Sequence, residues 1–202
     1  MEITRSALTL LHQYGFGVGL STKSSLIARD ASLLGAMQKD VPLRICFSIT
    51  TNNDALCAKI EPNAALSSKR FEALHALATK GVFTGVWLNP LLPFLTDTEE
   101  NVKSLIHRTA EAGGKFIVCF FGMTLREGNR EYFYRALDRD FPGVKKQYAA
   151  AFGLDYECPS PKAEALYRLF IRECDECGLL YRFRDINSAM LAGQARQLSL
   201  FD

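Results

Sequence analysis

Val82-Phe-Thr-Gly-Val-Trp-Leu88, running into Asn89-Pro90-Leu-Leu-Pro93, is a short β-rich run that stops at a polar, proline-marked loop. Ser67 or Ser68 opens a helix before it, with Phe71, Leu74 and Leu77 on the inward face. After it, Thr96 with Glu99 forms a capping box for a helix striped by Val102, Leu105, Ile106 and Thr109. Gly113-Gly114 ends that helix, and Lys115 to Phe121 reads as the next strand. Upstream, a strand over about 43 to 49 leads into Thr50-Thr-Asn-Asn53, and a short helix beyond it is stopped by Glu61-Pro62. A first helix with Ala7, Leu8, Leu11 and Tyr14 on one face leads through Phe16-Gly-Val-Gly-Leu20 into Ser21-Thr-Lys-Ser24. Helices alternating with strands that end in polar loops mean a parallel α/β sheet.

Four such units make half or more of a TIM-type barrel, so residues 1–122 are expected to form a partial barrel whose first strand has an open edge. The expectation is that an N-terminal half is missing or that a complementary chain pairs with this edge. After Gly122 the pattern turns helical, with helices near 127 to 139, 142 to 152, 160 to 177 and 185 to 193. Ser160 would cap the third of these, with Pro161 in its first turn. Residues 123–196 therefore read as a helical C-terminal region and 197–202 as a tail.

Composition bounds the function classes. At 202 residues, 48% hydrophobic and 23% charged, the chain fits an ordinary globular protein. No apolar run approaches the roughly 20 residues needed to cross a bilayer, and Met1-Glu-Ile-Thr-Arg-Ser has no signal-peptide pattern, which excludes a membrane partner and implies the cytoplasm. The formal charge of +2, spread over both parts, gives no broad basic field. The segment Arg126 to Lys146 interleaves basic residues with Tyr132, Phe133 and Tyr134, yet its acidic residues favour a solvated helix with an aromatic core stripe over a nucleic-acid surface.

Ligands of α/β barrels sit at the C-terminal ends of strands, which marks Lys23, Ser48, Thr50, Asn89 and Gly122. Ser21-Thr-Lys-Ser24, Cys46-Phe-Ser-Ile-Thr-Thr51, Glu61-Pro-Asn63, Val86 to Pro93 and Tyr156-Glu-Cys-Pro-Ser-Pro161 together make the chain similar to radical S-adenosylmethionine proteins related to spore photoproduct lyase. The resemblance implies S-adenosylmethionine bound against a four-iron, four-sulfur cluster and cleaved reductively to a deoxyadenosyl radical, which in the lyase repairs a thymine photoproduct in DNA. It implies that Lys23 meets the methionyl carboxylate and Ser48 the nucleoside portion, with Thr50 and Asn89 on the same rim. An ammonium suits a carboxylate, and a hydroxyl suits a ribose.

The family holds its cluster with three cysteines spaced C-x3-C-x2-C, and this run is absent. Cys46, Cys57, Cys119, Cys158, Cys174 and Cys177 offer one close pair, Cys174 with Cys177, which falls on the apolar face of its helix and reads as buried structural thiols. His12, His75 and His107 have no ligand spacing. No metal ligand and no catalytic residue is assigned. Taken alone, the chain is expected to be the inactive C-terminal portion of a radical enzyme.

Gln197-Leu-Ser-Leu-Phe201 resembles the pentapeptide with which many bacterial repair and replication proteins hold the sliding clamp. Leu198, Leu200 and Phe201 would be apolar anchors and Gln197 a polar one. The resemblances together imply a radical enzyme acting on DNA at the clamp. The rival readings are a non-catalytic clamp-binding module with a remnant barrel, and a tail folded onto its own domain.

Overall fold

The computed structural model describes residues 3–192. Its centre is a four-stranded parallel sheet of β1 (Val18–Thr22), β2 (Leu43–Ser48), β3 (Thr84–Leu88) and β4 (Phe116–Cys119), lying side by side in chain order. Register runs Leu20 to Ile45, Phe47 to Val86 and Trp87 to Val118. α1 (Ile3–Gln13) precedes β1, and a 3-10 turn (Ser25–Asp30), α2 (Ala31–Asp40), α3 (Asp54–Ile60), α4 (Ser67–Ala78) and α5 (Glu99–Glu111) supply the crossovers. The expected partial α/β barrel architecture is what forms.

The sheet's two faces differ because side chains alternate along a strand. Leu43, Ile45, Phe47, Val86, Leu88 and Ile117 point into one continuous core with Leu34, Met37, Leu74, Leu77, Leu105 and Phe170 from the helices. The opposite face carries Cys46, Phe116 and Val118, roofed in part by Ile186 of α9 (Phe183–Leu191). Gly85 lies on this face because Phe116 of the neighbouring strand covers it, and an added Cβ would stand 2.2 Å from the Phe116 carbonyl oxygen.

Among the described residues β1 pairs with β2 alone, as the unit count predicts. The far side of β4 is closed differently. The Ile117 N–H donates to the Leu180 carbonyl (2.9 Å), and the Leu180 N–H donates to the Lys115 carbonyl (3.0 Å).

Several local expectations shift. Tyr14 lies beyond α1 and is exposed, and Leu8 is that helix's buried contact. The α5 cap is Thr98, whose hydroxyl accepts from the Asn101 N–H, while the Thr96 hydroxyl accepts from the Leu92 N–H inside the preceding loop. The fourth strand ends at Cys119 because Phe121 takes a left-handed φ of 52° and turns the chain.

The C-terminal region contains α6 (Asn129–Asp140), α7 (Val144–Phe152), α8 (Ala163–Cys177) and α9. It also contains an antiparallel ribbon of β5 (Gly122–Thr124) with β6 (Glu157–Pro159), in the stretch expected to be helical. Strands of three residues are too short to carry a period-two signal. Ser160 precedes α8 rather than opening it directly, donating to Asp97 Oδ2 (2.6 Å) and accepting from the Lys162 N–H. α6 and α7 enclose a second small core of Leu125, Leu137, Tyr148, Phe152 and Cys158, which meets the loop after β3 through Phe94 and Leu95. None of the described helices is long and apolar enough to cross a membrane.

Candidate functional site

A parallel sheet brings the C-terminal ends of its strands to one rim, and the marked residues lie there. Lys23 follows β1, Ser48 ends β2, Thr50 lies just past it, Asn89 follows β3 and Gly122 follows β4. Lys23 and Thr50 line a cavity of about 230 Å³ together with Glu61, Pro90, Met123, Tyr132 and Arg139. Asn89 and Gly122 line a second cavity of about 530 Å³ with Phe120, Thr124, Glu157 and Cys158. Pro90 and Met123 border both, so the cavities adjoin. Ser48 lines neither and is half-buried at the edge of the open face, opposite Trp87 in register.

The loop after β2 is held from outside the sheet. Asn101 of α5 donates from Nδ2 to the carbonyls of Thr50 (3.0 Å) and Thr96 (2.9 Å), and its Oδ1 accepts from the Asn52 N–H (3.1 Å). Arg108 donates to the Asn52 side chain and lies over the Phe71 ring, 4.7 Å from its centroid. A loop fixed at its backbone leaves its side chains free for a ligand. The buried Thr50 hydroxyl has no hydrogen-bond partner, although a desolvated hydroxyl normally finds one.

Two residues to which sequence reasoning gave no site role, Glu61 and Arg70, join the marked ones. The Lys23 ammonium is 2.7 Å from Oε1 of Glu61, and Oε2 of the same carboxylate accepts from Nη2 of Arg70. Arg70 has no solvent exposure. Its Nη1 donates to the Ser48 carbonyl (2.7 Å) and its Nε to the Ala65 carbonyl (2.7 Å). Burying a guanidinium is costly unless it is paired and its donors are used, and here both conditions hold. The available signal was a charged residue at a core-facing position, because Arg70 shares the inward stripe of α4 with Ser67, Phe71, Leu74 and Leu77.

The cysteines do not form a ligand set. Among the described residues no group of three metal-ligating side chains converges. Burial pushes the thiols of Cys46 and Cys119 up to about 12 and raises those of Cys158, Cys174 and Cys177, as for thiols enclosed by protein. Cys174 is buried and Cys177 half-buried, in line with structural thiols. These residues do not fit a four-iron, four-sulfur cluster. The rim, with the Lys23 ammonium and the unpartnered Thr50 hydroxyl, suits an organic ligand that carries a carboxylate and hydroxyl groups better than a metal cluster.

The histidines are satisfied: His12 pairs with Asp40 (2.7 Å), His107 with Glu173 (2.9 Å), and His75 meets the Ala112 carbonyl (3.3 Å). In the basic-aromatic segment, Arg130 is buried and donates to the carbonyls of Leu125, Gly153 and Asp155. Arg139 pairs with Asp140 and Lys145 with Asp138, while Phe133 and Tyr134 pack around Tyr148. Gln197, Leu198, Leu200 and Phe201 lie outside the described residues.

No family model matches the chain. Curated relatives, uncharacterized proteins of Mycobacterium bovis and Mycobacterium tuberculosis, are 26% identical over 159 residues, covering 79% of this chain and 45% of theirs. The chain thus spans about half the length of the curated relatives it matches. The class its architecture defines is a parallel α/β fold of partial-barrel type. Solved structures of spore photoproduct lyase share that fold. A variant of the lyase matches with a TM-score of 0.60 at 15% identity, over 88% of this chain and 54% of that one. A second, with bound AdoMet and dinucleoside spore photoproduct, matches with a TM-score of 0.62 at 14% identity over the same shares.

Proposed function

We propose that this chain is the cofactor-holding second part of a radical S-adenosylmethionine enzyme resembling spore photoproduct lyase, acting on a DNA lesion and brought there by the sliding clamp. The observation that carries the reading is the rim itself: Lys23 and the unpartnered Thr50 hydroxyl face one cavity at the ligand end of a sheet with the lyase fold. Lys23 would pair with the methionyl carboxylate, Ser48 and Thr50 would offer hydroxyls to the nucleoside, and Asn89 its amide from the adjoining cavity. The bound cofactor supplies radical hydrogen abstraction in that family. The cluster would have to be carried by a preceding segment or a complementary chain, and the free edge of β1 is where such a part would pair. Gln197, Leu198, Leu200 and Phe201 would seat in the clamp.

Titrating the chain with S-adenosylmethionine tests the cofactor assignment, with Trp87, the single tryptophan, as fluorescent reporter and calorimetry alongside. Lys23→Ala should weaken binding by roughly 10-fold to 100-fold, the range for a charged hydrogen bond. Unchanged affinity would remove Lys23 from the site. Clamp binding is a separate measurement: a peptide of residues 193–202 should bind purified clamp, and its Leu200→Ala, Phe201→Ala form should not.

A further inference from the structure

We infer that Glu61 and Arg70 are positioning residues that hold Lys23 and Ser48 in one frame, an inference that rests on the cofactor reading above. Lys23 follows β1 and Ser48 ends β2, and nothing in their own strands fixes an ammonium on a flexible stem relative to a neighbouring strand end. The connection runs underneath them. One Glu61 carboxylate takes the Lys23 ammonium on Oε1 and the Arg70 guanidinium on Oε2, and Arg70 in turn grips the carbonyl of Ser48.

The anchor is rigid. Arg70 is fully enclosed, and its planar fork is also tied to the Ala65 carbonyl and lies 3.6 Å from Cys57 Sγ. The Glu61 side chain is only 11% exposed, whereas that of Lys23 is 45% exposed, so the network grades from a buried base to an accessible tip. An ammonium has three donors, and Glu61 engages it while leaving donors for an incoming carboxylate. Glu61 thus aims Lys23, and Arg70 aims Glu61 together with the end of β2. Pre-aimed groups lose less freedom when a ligand arrives, which is how residues that never touch a ligand raise affinity for it.

The test is a double-mutant cycle on S-adenosylmethionine affinity, measured by calorimetry on the full chain, with thermal midpoints recorded for every variant. Glu61→Gln in the native background should weaken binding roughly tenfold, the scale of one charge-assisted contact. In a Lys23→Met background the same change should alter affinity less than about twofold, because the residue it acts through is gone. Equal losses in both backgrounds would overturn the inference and leave Glu61 as general support for the fold. Tighter binding in Glu61→Gln would also overturn it, making Glu61 a competing counter-ion. Unchanged affinity in Lys23→Met alone would overturn the cofactor reading itself and this inference with it. Should Glu61→Gln fail to fold, Glu61→Asp keeps the charge beside Arg70 on a shorter arm and is read through the same cycle.

Discussion

One face of the four-stranded sheet is sealed and the other is open, although both are built from the same strands. Leu43, Ile45, Phe47, Val86, Leu88 and Ile117 on the helix-clad face have no measurable exposure. On the other face Ser21 is exposed, Ser48 and Trp87 are half-buried, and Phe120 and Phe183 extend the ring cluster outward from Trp87. The sealed face supplies the hydrophobic free energy that holds the sheet together. The open face and its rim are released from that task, so charge, hydroxyl and amide groups gather there. Dense packing and polar surface are thus divided between the two faces of the same strands and the loops that follow them.

The largest effect should come from the sealed face, where Phe47→Ala is expected to cost about 3–5 kcal/mol in urea unfolding. A loss below that of open-face substitutions would break the division. Next is Gly85→Val, which places atoms against the Phe116 backbone and ring and should cost about 1–3 kcal/mol through overpacking, visible as a lower urea midpoint. It would sharpen the comparison by showing that the open face is packed where α9 and Phe116 cover it.

A smaller, pH-dependent effect is expected at the outer seam between α5 and α8. The Glu173 carboxyl is held down at about 2, chiefly by the hydrogen bond from His107, with Arg172 and Lys103 adding to it against the opposing effect of burial. A depressed carboxyl pKa contributes stability that is complete above the ordinary carboxylate value of 4.5 and is lost as pH falls toward 2. The native chain should therefore lose stability more steeply than Glu173→Gln across that window, and parallel pH profiles of the thermal midpoint would contradict the pairing. The smallest effect belongs to Ser21→Ala on the open face, expected within about 0.5 kcal/mol of native in the same urea assay. A loss approaching that of Phe47→Ala would mean that the open face too is needed to hold the sheet.

Much of this was readable from residues because the sealed face writes a strong signal. The strand expected over 82 to 88 forms as Thr84–Leu88, and the stripe Val102, Leu105, Ile106 and Thr109 is buried as its spacing requires. The signal failed where contacts are distant or elements short. Neither β5 nor β6 is long enough to alternate, and the shift of a cap from Thr96 to Thr98 depends on a loop that folds the Thr96 hydroxyl back onto Leu92. At the rim, strand-end position marked Lys23, Ser48, Thr50, Asn89 and Gly122, and the family resemblance added roles for Lys23 and Ser48. The link from Lys23 to Ser48 was not legible, because it passes through Glu61, quoted as a helix stop, and Arg70, hidden in an otherwise apolar stripe.

The bridge from β4 to Leu180 sets a timetable for the chain as it is made. Strands β1 to β4 can pair with one another as they emerge from the ribosome, but the outer side of β4 receives these two hydrogen bonds only after α8 has been synthesised and has returned residue 180 to the sheet. Until then Phe116 and its neighbours present a bare strand border to solvent, the kind of surface on which nascent chains aggregate. A transcript ending before that codon would leave β4 without these two bonds, opposite a β1 edge that no described strand covers.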